Sequence, residues 1–262
     1  MIVRRDGSGW VLISQPAHAW LAGELATAWG NEDFARPSPR EVVIMATRLH
    51  DIGWLAWDAA PRLDKDGRPV NFLDTTLEET IPIWRQAVRQ LSLIDPYAAL
   101  LVSKHASTIY HRRLERGADP PQQRAVVNAQ LDGQAAVQES LRRQLADHPE
   151  YGPAVEPDFL KATYRWLRAC DLLSLILCVD EMPASGSIEA VSSTRPIEFS
   201  RINYSRPNPF KVALDPTPFS APLELTIQTR RLNETIYPDQ TAYLTAIEQA
   251  PWVPQTVIIS GT

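Results

Sequence analysis

Apolar positions fall at helical spacing through most of residues 15–180 and at strand spacing near both ends. At the start, Ile2-Val3-Arg4-Arg5 and Trp10-Val11-Leu12-Ile13 flank the turn-forming Asp6-Gly7-Ser8-Gly9, which predicts a β-hairpin over residues 1–14. Trp20, Leu21, Leu25 and Ala28 predict a helix from Pro16 to Trp29, with Ser14 as its cap and Gly30 behind it. Ser38-Pro39 opens a second helix. Val42, Val43, Met45, Ala46, Leu49, Ile52 and Leu55 give it one broad apolar face, to about Asp58. Residues 59–75 are polar, with Pro61, Asp66-Gly67 and Pro69, and read as a long loop of the kind that often rims a site.

Further helices are expected over 76–93, 95–116 (ended by Gly117), 122–147 and 157–179. The third of these is rich in Gln, Arg and Glu and reads as an outer, solvated element. The fourth is apolar on most sides and reads as central. From Pro183 to Pro254 the pattern changes to ten prolines and one glycine, Gly186, around short strand-like runs. The runs are Pro196–Phe199, Phe210–Leu214, Leu223–Thr229 and Thr256–Ile259, with a short helix over Tyr243–Gln249. The expected architecture is therefore mainly α. A helical bundle spans 15–182, and a small antiparallel β appendage spans 183–262, with the 1–14 hairpin packed on that tail.

Composition narrows the function. The chain has 262 residues, 44% apolar and 22% charged, enough for a substantial core and unlike a disordered chain. Asp and Glu (31) outnumber Lys and Arg (26), which argues against nucleic-acid binding by bulk charge. Cys170 and Cys178 lie in one apolar run and read as buried thiols of a reducing compartment. The N-terminus lacks a signal-peptide pattern, and the longest apolar run, Leu172–Val179, is broken by Ser174 and too short to span a membrane. A soluble, cytoplasmic protein is expected. P-loop, Rossmann and Gly-x-Ser-x-Gly patterns are all missing.

Candidate chemistry gathers on few residues. His50 and Asp51 are adjacent; on a continuous helix they would diverge by about 100°, yet both can reach an ion at the helix flank. Asp171 lies in the apolar run Arg168-Ala169-Cys170-Asp171-Leu172-Leu173, where a carboxylate needs a metal or a cation, and Arg168 is the nearest candidate cation. His18 sits early in the first helix, where a cap or surface role is the plain alternative.

The ordered set His18, His50-Asp51, Asp171, with "LHDIGW" around the pair, resembles the HD superfamily of metal-dependent phosphohydrolases over roughly residues 15–180. The chain is also similar, almost throughout, to a small uncharacterised bacterial family of HD-like proteins. That similarity is carried by "MIVRRDGSGWVLISQPAHAWLAGELATAWG", "ALLVSKHASTIYHRR" and "LDPTPFSAPLEL". The resemblance implies a divalent ion (Mn, Fe, Ni, Co, Zn or Mg), one or two per chain, on His18, His50, Asp51 and Asp171. His105 would join as a further ligand, ahead of His111, which lies about 240° away on the same helix. Asp51, Lys104 and Arg48 would form the catalytic group, the two cations offsetting phosphoryl charge. The implied activity is hydrolysis of a phosphoester of a small molecule or nucleotide. A di-iron oxygenase and a non-catalytic ligand-binding module of the same shell are the alternatives. Trp54 and Trp57, just past the pair, are candidate pocket walls, and His148 reads as a surface residue.

Overall fold

The computed structural model describes residues 1–7, 9–191 and 199–262. Its fold is α/β. A curled, mixed seven-stranded sheet backs the helices, which corrects the expectation of a mainly α bundle with a small β appendage. In chain order the elements are β1 (Ile2–Asp6), β2 (Gly9–Ile13), α1 (Gln15–Ala28), α2 (Arg40–Arg48), α3 (Leu55–Asp58), α4 (Leu77–Ser92), α5 (Pro96–Arg116), α6 (Pro121–Leu145) and α7 (Pro157–Cys178). Then follow β3 (Ser185–Val191), β4 (Phe199–Asn208), β5 (Lys211–Asp215), β6 (Leu223–Leu232), α8 (Gln240–Gln249) and β7 (Trp252–Gly261).

The sheet order is β1-β2-β6-β7-β5-β4-β3, with β5 and β7 parallel and every other pair antiparallel. Both ends of the chain thus share one sheet. The strands extend past the runs visible in the sequence, and β3 escapes the sequence pattern because Ser185-Gly186-Ser187 opens it with small polar residues. In β4 the buried Ile202 and Tyr204 alternate with exposed Arg201, Asn203 and Ser205, so one face supports the core while the other reads as loop-like. The run Pro196–Phe199 lies outside the described residues apart from the backbone of Phe199.

Strand alternation also divides the core. Ile2, Val11, Ile13 and Ile227 face the main cluster, which the helices complete with Leu21, Leu25, Leu101, Leu173 and Leu177. Val3, Leu12 and Leu232 point the other way, into a second cluster closed by Tyr237 and by Tyr243 of α8. Both faces of the hairpin are therefore buried. Helix α7 is buried along most of its length and α6 exposes most of its surface. Among the described residues, no helix is long and apolar enough to cross a membrane.

The second helix ends sooner than its apolar spacing suggests. It stops at Arg48, Leu49 takes φ −112° and ψ 9°, and a short 3₁₀ turn over Ile52–Trp54 follows. Gly53 lets that turn lie against α4: a Cβ there would stand 2.2 Å from the Ile83 carbonyl oxygen. Neither backbone can yield cheaply. In contrast, a Cβ at Gly133, mid-α6, meets nothing within 4 Å. Gly53→Ala should lower unfolding free energy by about 1–3 kcal/mol through overpacking, and Gly133→Ala should raise it by up to about 1 kcal/mol through helix propensity; urea denaturation of both variants checks the pair.

Candidate metal centre

Four segments bring imidazoles and carboxylates together. The side chain of Ser14 caps α1 by accepting the Ala17 N–H, and His18 follows one turn later, buried. His50 and Asp51 occupy the turn after α2, which frees them from the divergence a helix would impose, and both point inward. His105 comes from α5 and Asp171 from α7. Asp171 Oδ1 lies 3.2 Å from His18 Nε2 and 3.3 Å from His50 Nε2, and its Oδ2 lies 3.7 Å from His105 Nε2. Asp51 Oδ2 lies 3.6 Å from His18 Nε2 and 3.5 Å from His50 Nε2.

The outward ring nitrogens are held in place. His50 Nδ1 is 2.7 Å from the Thr47 carbonyl, which can only accept, so Nδ1 carries the hydrogen. The Ser174 hydroxyl donates to the Asp171 carbonyl (2.8 Å) and so accepts from His18 Nδ1 (2.8 Å). His105 Nδ1 meets the Tyr164 hydroxyl at 3.2 Å. When neutral, His18 and His50 are thereby fixed in the tautomer whose Nε2 lone pair faces the centre, the arrangement that outer hydrogen bonds give to metal-binding histidines.

Electrostatics reinforce the cluster. Burial disfavours charge on His50, but the carboxylates of Asp51 and Asp171 outweigh it and raise its pKa to about 9. Burial lowers that of His105 to about 4. Burial pushes the Asp51 carboxyl up, whereas the imidazoles set against its oxygens overcome burial at Asp171 and hold it well below the usual carboxylate range.

The cluster lines a cavity of about 70 Å³ walled by Trp54, Phe72, Trp84, Ile109 and Leu175. Three of its lining residues carry buried polar atoms with no hydrogen-bond partner: His50 Nε2, Gln15 Oε1 and Trp54 Nε1. His50 Nε2 is near Asp171 but not aligned for a hydrogen bond. A small polar occupant satisfies such atoms, and a hard or borderline divalent ion with its water fits this donor set and volume. Two overlapping triads can hold one: His18, His50 and Asp51, or His50, His105 and Asp171. Both use His50, whose one free nitrogen has a single lone pair, so the two triads cannot be filled at the same time.

The structure gathers His18, His50, Asp51, His105 and Asp171 at one point. Lys104 and Arg48 are elsewhere. The Lys104 ammonium lies 5.9 Å from the centre of the Tyr164 ring and outside the cavity lining, and Arg48 pairs with Glu24 at 2.6 Å. Arg168, the alternative partner for Asp171, pairs instead with Glu189 at 3.2 Å. His111 is exposed, and His148 stacks on Tyr151. Trp54 lines the cavity, and Trp57 packs edge-on against it. Sequence reading missed Ser174, Tyr164, Gln15 and Trp84. Ser174 and Tyr164 stand three and seven positions from Asp171, on its own face of α7, and that spacing was the available signal. Trp84, whose ring centre is 5.4 Å from that of His105, looks like any core residue of an amphipathic helix.

A sequence family described as a protein of unknown function (DUF3891) matches residues 1–234. The chain belongs to the DUF3891 family. The match takes in all five clustered residues and stops before α8 and β7. No curated protein and no solved structure matches the chain.

Ser174→Ala removes the acceptor for His18 Nδ1 and should weaken metal binding by about 10–100-fold while the fold persists, as isothermal titration against Mn²⁺ or Zn²⁺ would show. Because metal-free His50 holds a proton up to about pH 9, an incoming ion must displace it. Titrations in buffers of different ionisation enthalpy should therefore show proton release at pH 7, with affinity rising as pH approaches that value.

Proposed function

We propose that this chain is a metal-dependent phosphohydrolase that holds one divalent ion among His18, His50, Asp51, His105 and Asp171 and cleaves a phosphoester of a small molecule or nucleotide. The observation that carries the metal is the buried, unpartnered His50 Nε2 facing two carboxylates. The phosphoester rests on the likeness of the ordered His, His-Asp, Asp set to the HD superfamily. An ion bound here supplies Lewis-acid polarisation and lowers the pKa of a coordinated water.

The residues take distinct parts in this reading. Asp51 accepts the proton of the attacking water, since it is buried and reaches two imidazoles. Gln15 Oε1 accepts a hydrogen bond from that water and orients it. The Trp54 indole N–H donates to a phosphoryl oxygen from the cavity lining, to which Lys104 and Arg48 do not contribute. The cavity of about 70 Å³ admits the ion and water but not a whole substrate, so the phosphoryl group enters and the rest of the molecule stays at the mouth.

Elemental analysis of purified wild type should find about one Mn, Fe, Co, Ni, Zn or Mg per chain, and His50→Ala/Asp51→Ala should lose it. Asp51→Asn should lower kcat on bis(p-nitrophenyl) phosphate by about 10²–10⁴-fold. Two irons per chain would favour the oxygenase chemistry instead. A wild type that binds none of these metals would leave only a ligand-binding module.

A further inference from the structure

A second concavity lies away from the metal centre, between α4 and α6, with a volume near 680 Å³. That is the size of a site for a small organic molecule. Its floor and walls include Pro82, Val88 and Val137, and its cations are Arg85 and Arg89. No acidic side chain lines it, in a chain whose net charge is −5.

Among the described residues, both guanidiniums are bonded only to neutral amides. Arg85 Nε donates to Gln130 Oε1 at 2.9 Å, and Arg89 donates to Gln86 Oε1 at 2.5 Å. Gln130 is 1% exposed, and the Arg85 bond fixes its amide so that Nε2 is left buried without a partner. Arg85 is thus anchored through Nε while its terminal N–H groups stay available, a preorganised receptor for a carboxylate, sulfonate or phosphate. Gly133 opens the opposite wall, where a side chain would project into space that is now empty.

We infer that this groove binds a small organic anion with an apolar body, its charged head on Arg85 and Arg89 and its body over Val88, Val137 and Pro82. The apolar walls account for the body, and the two uncompensated cations account for the head. The site is separate from the metal centre and does not depend on the activity proposed there.

The test uses the full chain and 8-anilinonaphthalene-1-sulfonate, with decanoate and decanol as competitors. Wild type should show saturable fluorescence enhancement that decanoate reverses and decanol reverses far less. Arg85→Gln/Arg89→Gln should weaken binding by about tenfold or more through loss of charge-assisted hydrogen bonds. Gly133→Leu should abolish it by filling the groove. All three residues are exposed, so the melting temperature should stay close to that of wild type and separates lost binding from lost fold. The inference is overturned if wild type shows no saturable binding, if decanol competes as well as decanoate, or if Gly133→Leu binds the dye as wild type does.

Discussion

An ionised carboxylate inside an apolar helix sets the terms for the rest of the molecule. Asp171 sits on α7 with its neighbours in the main core, and burial of that charge costs several kcal/mol unless matched. The match comes from three other segments, which deliver His18, His50 and His105 to its two oxygens. Asp51 adds a second buried carboxylate to the same space. Two such charges side by side call for a cation between them: a proton on His50, or a metal ion in the proton's place. The convergence of α1, α2, α5 and α7 is thus as much an electrostatic requirement as a packing one.

The sheet and helical layer serve this point from opposite sides. Strand residues Ile202, Val212 and Ile259 join the core beneath α1 and α7, so the helices that carry His18 and Asp171 rest on one continuous apolar support. The turn after α2 depends on a different contact, the close seat of Gly53 on α4. Helix α4 in turn presents Trp84 to His105 on one side and Arg85 to the groove on another.

The clustered His and Asp residues were legible in the sequence because chemistry restricts them. A His-Asp pair, a lone Asp in an apolar helix and an early His are unusual enough to stand out, and helix bounds near 15–28, 77–92 and 96–116 followed from spacing and caps. What was lost was information that lives between segments. The end of α2 at Arg48 is set by packing of the following turn, while Leu49, Ile52 and Leu55 continue the helical spacing and mislead. The sheet was underestimated because β3 and β4 carry polar residues on an exposed face and because pairing of β2 with β6 joins residues more than 200 positions apart. Lys104 and Arg48 are sequence neighbours of the site residues, but neither side chain lines the cavity.

The strand order has an architectural consequence. Strand β7, last in sequence, lies between β6 and β5. Without it the sheet is two separate ribbons, β1-β2-β6 and β5-β4-β3, each with a raw inner edge able to pair with a foreign strand. Pro254 falls in the stretch of β7 that has only β6 beside it, where a missing N–H does no harm to the parallel pairing with β5 farther along. Strand β7 is therefore a keystone: it contributes nothing to the clustered histidines and carboxylates directly, yet it turns two vulnerable ribbons into one continuous support.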